Sequence, residues 1–342
     1  MVVAAGDRHS CGVRTDHTLW CWGSNVYGQL GDGTTFDHYT PEQIGTSTTW
    51  ASVAAGYRHT CATRLDHSLW CWGSNASFQL GVGFGTADHS PVQVGTATTW
   101  AAVSAGLYST CATRTDHTLW CWGSNSYGEV GDGTNVARAA PVQVGTSATW
   151  VAVTAREWHA CATRTDGSLW CWGLNGIGQL GDGTTVDRNA PVRVGAATGW
   201  ASVAAGAGDT CATRTDLSLW CWGDNSLGEL GNGSTIPAAV PIKIGTGAWT
   251  AVGAGRLHMC GTHSDGTLWC WGDNRYGELG DGTVTTRDVP VKVGTITSWS
   301  GVAGGNGDTC AIRTNGSLWC WGYGYLGALG LVLPVGGAPV AG

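Results

Sequence analysis

The sequence predicts an all-β domain of seven repeats, folded as a propeller or a solenoid. Three observations predict this class. A unit typified by residues 161–173 recurs seven times at a spacing of about fifty residues, and such a period is the signature of a repeat architecture. Glycine makes up 56 of the 342 residues and charged residues only 12%, a composition typical of short strands and tight turns. No stretch has sustained helical periodicity.

Each repeat contains a β-hairpin with two cysteines ten residues apart. Turn chemistry at residues 165–167 joins two strand-compatible segments, and a three-residue loop there places Cys161 directly opposite Cys171. Opposed residues of a non-hydrogen-bonded pair lie about 4.5 Å apart at Cα, within the range that a disulfide bridges. The third loop position favours glycine because its backbone is left-handed. Four repeats instead carry His17, His67, His117 or Leu217 there.

We therefore expect one disulfide in each repeat, seven in all. Reduced cysteines buried in the core are the open alternative, whereas zinc knuckles have a closer spacing of their ligands. The expected pairs are Cys11 and Cys21, Cys61 and Cys71, Cys111 and Cys121, Cys161 and Cys171, Cys211 and Cys221, Cys260 and Cys270, and Cys310 and Cys320.

Tryptophans flank the second cysteine of every repeat, as Trp170 and Trp172 flank Cys171. Side chains alternate along a strand, so both tryptophans point away from the cysteine, and we expect both to pack in the core between repeats. A strand before the hairpin and a strand near a proline such as Pro41 bring the count to four short strands per repeat. Such a proline predicts an edge strand.

The unbroken period predicts a single domain over residues 1–342. The chain begins within a first strand at residues 2–6 and ends with a proline-containing segment, residues 338–342. We expect these terminal segments to meet at the seam of a closed ring, because closure removes free sheet edges.

Charge and hydropathy exclude several classes of partner. The formal charge of −7 is spread without basic clusters, which argues against nucleic acid as a partner. The sequence has no run of eighteen apolar residues, so it predicts no membrane span. Residues 1–6 do not resemble a signal peptide, yet paired cysteines favour an oxidising compartment. We expect the mature part of an exported protein, located outside the cell, on its surface or in the periplasm.

Three motifs resemble the repeats of the regulator of chromosome condensation family. They are Gly-x-x-His-Thr-Cys at residues 56–61, Leu-Trp-Cys-Trp-Gly at 69–73 and Asn-x-x-Gly-Gln-Leu-Gly at 25–31. The resemblance implies a seven-bladed β-propeller with four-stranded blades, and the cysteine pairs resemble exported bacterial members. The family includes an exchange factor for the GTPase Ran, a plant UV-B photoreceptor and a bacterial β-lactamase inhibitor, so the fold alone does not select a function.

No motif of a known enzyme class is present, and we expect neither catalytic residues, nor a cofactor, nor a metal. A histidine two residues before the first cysteine is replaced in three repeats, which favours hydrogen bonding to loop backbone over metal binding. These positions are His9, His59, Ser109, His159, Asp209, His258 and Asp308. Aspartates in Gly-Asp-Gly-Thr segments, such as Asp32 and Asp132, favour turn formation over calcium binding.

The repeats differ most at the two positions before that histidine. We expect these positions on loops around one mouth of the central channel. Tyrosine, tryptophan and arginine, which are enriched at interface hot spots, occur there in repeats two to four. The candidate partner-binding residues are Tyr57, Arg58, Tyr108, Arg156, Glu157, Trp158, Arg8 and Arg256. A second variable set that includes Tyr27 and Tyr127 is interpreted as local packing.

The sequence thus predicts a non-enzymatic, exported scaffold that binds another protein, such as a secreted enzyme or a surface protein, through the mouth loops. Four alternatives stay open. The first is an inhibitor of a secreted enzyme such as a β-lactamase. The second is a UV-B sensor, since residues 56–60 are similar to the photoreceptor's Gly-Trp-Arg-His-Thr motif. The others are an exchange factor for a Ran-like GTPase and a glycan-binding propeller.

Overall fold

Seven four-stranded antiparallel sheets form the blades of a β-propeller, which confirms the predicted fold. The computed structural model describes residues 1–330 and the strand Val340–Ala341. Blade 1 comprises β1 (Val2–Ala5), β2 (His9–Val13), β3 (Leu19–Gly23) and β4 (His38–Gln43). Blade 2 comprises β5 (Trp50–Ala55), β6 (His59–Arg64), β7 (Leu69–Ser74) and β8 (Ala87–Gln93). Blade 3 comprises β9 (Trp100–Ala105), β10 (Ser109–Arg114), β11 (Leu119–Gly123) and β12 (Arg138–Gln143).

The remaining blades repeat this order. Blade 4 comprises β13 (Trp150–Arg156), β14 (His159–Arg164), β15 (Leu169–Gly173) and β16 (Arg188–Arg193). Blade 5 comprises β17 (Trp200–Ala205), β18 (Asp209–Arg214), β19 (Leu219–Gly223) and β20 (Ala238–Ile244). Blade 6 comprises β21 (Trp249–Ala254), β22 (His258–His263), β23 (Leu268–Gly272) and β24 (Arg287–Lys292). Blade 7 comprises β25 (Trp299–Gly304), β26 (Asp308–Arg313), β27 (Leu318–Gly322), a 3-10 turn (Tyr325–Gly327) and β28 (Val340–Ala341).

The first strands of the blades line the central channel, and β1 packs against both β5 of blade 2 and β25 of blade 7. Between the blades, the indole Nε1 of the buried Trp22 donates to the carbonyl of Ala328 at 2.9 Å, so blades 1 and 7 are neighbours. Residues 331–339 and Gly342 lie outside the described residues. The predicted meeting of the two terminal segments therefore stays a prediction.

The hairpin register pairs the cysteines as predicted. Cys161 stands opposite Cys171 in the β14–β15 ladder, and their Cα atoms are 4.0 Å apart. The other six pairs have the same register with Cα separations of 4.1 Å. All fourteen cysteines are thus in disulfides, one bridge per blade, and the reduced alternative is not the arrangement in the structure.

The two tryptophans that flank the second cysteine are buried to different depths. Trp172 is fully buried, and its Nε1 donates to the carbonyl of Glu129 in the preceding blade at 2.9 Å. Trp170 is only half-buried and bonds to Ser168 of its own hairpin. Both nevertheless pack between blades, as expected, since Trp170 lies at the partly buried edge of the hydrophobic cluster between blades 3 and 4. The ring of Trp170 also forms a wall of a clamp around Arg164, whose other wall is the buried Trp150.

The antiparallel order divides the connections between two faces. Loops between the first and second strands, such as residues 6–8, share one face with the loops between the third and fourth strands, such as residues 24–37. We call this the mouth face. The hairpin turns and the linkers between blades lie on the opposite face. Within the described residues, no helix has the length and apolarity needed to cross a membrane.

Candidate functional site

The mouth loops are tight turns that are tied to the next blade. In blade 2, the backbone N of Gly56 donates to the carbonyl of His59 at 2.9 Å. The Nε2 of His59 then lies 2.9 Å from the hydroxyl of Thr110 in blade 3. That hydroxyl donates its proton to the carbonyl of Gln79, so it accepts from the Nε2–H of His59. The loop position is fixed by this chain of bonds.

The other three histidines make the same contact with the following blade. Their hydroxyl partners are Thr60 for His9, Thr210 for His159 and Thr309 for His258, at 2.8 to 3.0 Å. The expected bond to loop backbone is therefore wrong, because the ring crosses the gap between blades instead. Where the histidine is replaced, the threonine is replaced too. Ser109 is paired with Ala160, Asp209 with Met259, and Asp308 with Ser10.

Burial shifts the pKa values of these four histidines and of Asp308, which occupies the same position in blade 7. It lowers the pKa of His9 and His159 to about 4. It lowers the pKa of His59 and His258 to about 3, with neighbouring positive charge adding to the effect. Burial also raises the pKa of the Asp308 carboxyl to about 8, against the opposing charge of Arg156. All five groups are therefore mainly uncharged at pH 7, as buried groups without ionic partners should be.

Aromatic side chains form a continuous row over blades 1 to 4. The ring of Tyr57 lies 5.7 Å from that of Tyr108, which lies 5.6 Å from that of Trp158. Tyr127 completes this end, with its ring 5.3 Å from that of Trp158. These separations suit the tilted and edge-to-face contacts that aromatic pairs prefer.

An arginine extends the row at its other end. The guanidinium carbon of Arg58 is 4.6 Å from the ring centre of Tyr57 and 4.4 Å from that of Tyr27 in blade 1, which is cation–π geometry. We call this set the mouth ridge: Tyr27, Tyr57, Arg58, Tyr108, Tyr127 and Trp158. Four of its members were candidates from the sequence, and the structure brings these four together.

Sequence reasoning missed Tyr27 and Tyr127 as members of the ridge. Each belongs to a loop between the third and fourth strands, and this loop lies over the following blade. The backbone N of Gly33 donates to the carbonyl of His89 in blade 2, for example. The available signal was the spacing of Tyr27 and Arg58, which matches that of Tyr127 and Trp158.

The four other candidates lie nearer the centre and the far side of the mouth. Arg156 reaches across the channel and donates to the carbonyls of Ala254, Gly304 and Gly305, at 2.9 to 3.3 Å. Glu157 pairs with Arg256 at 3.3 Å. Arg8 pairs with Asp7 at 3.3 Å, on the side of blade 7. These four therefore lie outside the ridge, and the guanidinium of Arg156 is occupied by bonds within the protein.

The centre of the mouth has little room for a small molecule. A cavity of about 30 Å³ lies between Tyr57, Arg156, Glu157 and Arg256, far less than the volume of about 300 Å³ or more that typical ligand pockets have. In residues 1–330 and 340–341, no three His, Cys, Asp or Glu side chains are grouped to hold a metal. Asp132 accepts from the backbone N of Thr134 at 3.0 Å and pairs with Arg138, in agreement with the turn interpretation.

Comparison with known families agrees with this geometry. The model described as "Regulator of chromosome condensation (RCC1) repeat" matches residues 16–63, 66–113, 116–163, 166–213, 218–261 and 265–312. The chain belongs to the RCC1 repeat family. A second model of the same description matches residues 50–79, 100–129, 150–179 and 249–278 of this RCC1-repeat propeller. No curated protein sequence matches the chain.

Solved structures with the same fold include Prp20p of Saccharomyces cerevisiae, with a TM-score of 0.84 at 20% identity over 97% of this chain and 87% of that one. Human WBSCR16 has a TM-score of 0.82 at 20% identity, over 90% of this chain and 84% of that one. Such identities establish the fold alone. Yeast Prp20 has been solved bound to Kap60, and its binding to Gsp1p and histones has been described.

Proposed function

We propose that this RCC1-repeat propeller is a non-enzymatic scaffold that binds another protein through the mouth ridge. The observation that carries the proposal is the unbroken row of tyrosine, tryptophan and arginine side chains over four adjacent blades. Trp158 is the one tryptophan outside the three positions that recur in the repeats. Its place in the ridge is therefore not required by the repeat architecture.

The ridge has the properties of a hot-spot cluster. Its rings already pack against each other, as in the Tyr57, Tyr108 and Trp158 series, so little side-chain entropy is lost when a partner binds. Tyr127 remains 38% exposed at its end. The cavity between Tyr57 and Arg156 at the mouth holds only about 30 Å³, which favours a protein surface over a small molecule as the partner of this region.

We further propose that the protein functions outside the reducing cytosol, in the extracellular space, on the cell surface or in the periplasm. Seven disulfides support this, because such bonds persist in oxidising compartments and are rare elsewhere. A secreted enzyme or a surface protein is then the expected partner. Inhibition of a secreted enzyme such as a β-lactamase is the sharper form of the proposal, and it rests on the family resemblance.

Binding to a panel of purified secreted hydrolases, β-lactamases included, tests the proposal. Surface plasmon resonance would compare the wild type with the double variant Tyr57→Ala and Trp158→Ala. We expect the variant to lose at least about 2 kcal/mol of binding free energy, or about thirtyfold in affinity, as for truncated hot spots. Inhibition assays on the same enzymes would then show whether binding blocks catalysis.

A matched control is available on the same face. Ile236 is 73% exposed on the loop between β19 and β20, away from the ridge. We expect Ile236→Ala to bind like the wild type. Equal affinities of the double variant and the wild type for a bound enzyme, with the melting temperature unchanged, would eliminate the ridge as the site.

A further inference from the structure

A second cavity opens on the mouth face between blades 6 and 7, away from the ridge. Its volume is about 280 Å³. We call it the blade 6–7 pocket. The lining residues that matter for its chemistry are Leu257, Asp273, Tyr276, Glu278, Gly307 and Tyr323. The pocket is independent of the protein partner proposed above, because the ridge contributes none of these residues.

The pocket is open at this point because blade 7 has Gly307 where five of the blades carry a larger side chain; blade 5 also has a glycine there, Gly208. The equivalent residues are Tyr108 in blade 3 and Trp158 in blade 4, both of which fill the mouth surface with aromatic rings. A Cβ atom at Gly307 would lie 3.4 Å from the ring of Tyr276 and 3.5 Å from Tyr323. Any longer side chain at this position would therefore extend into the space between the two tyrosines.

Tyrosine rings form one wall of the pocket. The rings of Tyr276 and Tyr323 are 4.6 Å apart, and Tyr325 stacks on Tyr323 at 5.6 Å with an interplanar angle of 17°. Tyr276 is 42% exposed and Tyr325 51% exposed. Tyr276 and Tyr323 thus line the open cavity, with Tyr325 stacked on Tyr323, and tyrosine side chains suit a ligand with both apolar and polar sides.

Buried carboxyl groups form the floor. Asp273 and Glu278 are at most 2% exposed. Glu278 accepts one hydrogen bond, at Oε2 from the backbone N of Tyr276 at 2.7 Å, which leaves its second oxygen for a ligand. Burial raises the pKa of this carboxyl to about 7, so at neutral pH the group can donate as well as accept a hydrogen bond.

The ionised side chains around the pocket already have partners. Arg275 forms a two-pronged pair with Asp273 at 2.7 to 3.0 Å. At the rim, Arg256 pairs with Glu157, and Arg8 with Asp7. Each of these three arginines is thus balanced by one carboxylate, so the pairs leave no excess charge that favours an ionic ligand over a neutral polar one.

We propose that the blade 6–7 pocket binds one ring of a neutral sugar. A sugar ring has an apolar C–H face that can stack on tyrosine and a rim of hydroxyls that can bond to carboxyl groups. The tyrosine wall and the carboxyl floor offer these two surfaces at adjacent sides of one cavity. The volume of about 280 Å³ is at the lower end of the range of ligand pockets, about 300 to 1,000 Å³, and so suits a small ligand.

Saturation-transfer NMR and calorimetry on the whole chain would test this, with methyl glycosides of glucose, galactose, mannose and N-acetylglucosamine at about 10 mM, a range for weak binding. Glucosamine and glucuronate serve as the cationic and anionic comparisons. We expect at least one neutral glycoside to bind. The charged sugars should bind at least tenfold more weakly.

The residues that other blades carry at equivalent positions provide conservative substitutions for the pocket. Blades 1 to 3 carry serine at the position of Tyr323, so Tyr323→Ser should keep the fold and weaken sugar binding at least tenfold. Glu278→Gln introduces the residue of blades 1, 2 and 4, where the glutamine side chain accepts the equivalent backbone bond. This variant should remove most of the change in sugar affinity between about pH 6 and pH 8, leaving only the effect of the nearby Asp308, whose pKa is about 8.

The ridge double variant Tyr57→Ala and Trp158→Ala should bind the sugar like the wild type. This separates the pocket from the proposed protein site. The proposal is overturned if no neutral glycoside of the panel binds, if only a charged sugar binds, or if Tyr323→Ser and Glu278→Gln both bind like the wild type. If the ridge variant loses enzyme binding but still binds the sugar, the proposal of a separate sugar site is supported.

Discussion

The buried histidines near the mouth show how a single residue position holds two blades together. Each histidine donates to a threonine hydroxyl of the next blade, as His59 does to Thr110. Because three blades replace both partners together, the pair behaves as one unit. The sequence revealed the recurring histidine and its replacements. It did not reveal the partner, since the two residues of a pair are fifty-one positions apart and belong to different blades.

Acid should weaken this contact specifically. The pKa of His59 is about 3 in the folded chain and about 6.5 in the unfolded chain. As the pH falls below about 6.5, the unfolded chain binds a proton at this histidine while the folded chain does not. The free energy of unfolding therefore decreases until the pH reaches the folded pKa. His59→Ser, with the residue of blade 3, removes this dependence. We expect it to cost about 1–2 kcal/mol of unfolding free energy at pH 7.

The stability advantage of the wild type over His59→Ser should fall by about 2 kcal/mol between pH 7 and pH 5, at about 1.4 kcal/mol per pH unit below pH 6.5, so that it vanishes or reverses at pH 5. Urea unfolding at both pH values measures it. The two proteins are compared because both contain Asp308, whose titration changes stability in the direction opposite to that of His59. Its contribution cancels in the difference between them. Its carboxyl has a raised folded pKa of about 8, so its contribution is lost as the pH rises. An equal gap at both pH values would contradict the account of His59.

At the scale of the strand and hairpin, much of the structure follows from the sequence. The opposition of Cys161 and Cys171 came directly from the turn length and the alternation of side chains. The histidines at the left-handed loop position now have a physical reason. The Nδ1 of His17, for example, lies 3.0 Å from the carbonyl of Trp50, with φ of 62° at His17. The structure offers no such bond for Leu217, which has φ of 65°.

The different roles of Trp170 and Trp172 could not be derived from alternation, because both side chains point to one face of the strand. What separates them is their distance from the neighbouring blade. Trp172 reaches a carbonyl of blade 3, whereas Trp170 stacks on Arg164 of its own hairpin. This distinction depends on the angle between blades, and the sequence of one repeat does not contain that information.

The tryptophan clamp should contribute measurably to stability. The guanidinium carbon of Arg164 lies 4.2 Å from the ring centre of Trp150 and 4.1 Å from that of Trp170. We expect Arg164→Ala to lower the unfolding free energy by about 1–2 kcal/mol, through lost cation–π attraction and lost packing of the side-chain stem. Equilibrium denaturation in urea measures the change.

Arg193 provides the matched control for this prediction. It is exposed and donates only to the carbonyl of Ala196, so Arg193→Ala should change stability by less than about 0.5 kcal/mol. Equal effects of the two substitutions would show that the aromatic walls add nothing to the clamp.

At the scale of the whole molecule, the ring is held by contacts around it and by contacts across it. The indole bonds recur at all seven blade boundaries and the histidine–threonine bonds at four of them. Across the ring, Arg156 of blade 4 donates to the carbonyls of blades 6 and 7, and Glu157 beside it pairs with Arg256 of blade 6. The sequence marked Arg156 as exceptional, because every other repeat has glycine there, but its partners belong to blades far along the chain.

The sequence also predicted only part of the candidate sites. Tyr57, Arg58, Tyr108 and Trp158 stood out because the repeats share a core and differ at these positions. The blade 6–7 pocket did not stand out, since the feature that opens it is a glycine, and a missing side chain has no chemistry that a motif can reveal. Only the neighbouring tyrosines in space give Gly307 its significance.

The state of the cysteines tests the central claim that this RCC1-repeat propeller is a disulfide-stapled protein of an oxidising compartment. The measurement is the intact mass of natively isolated protein after alkylation of thiols without reduction. We predict that no label is taken up and that the mass is lower by two hydrogens for each of the seven bridges. Uptake of fourteen labels, one for each cysteine, would contradict the claim and place the protein in a reducing compartment.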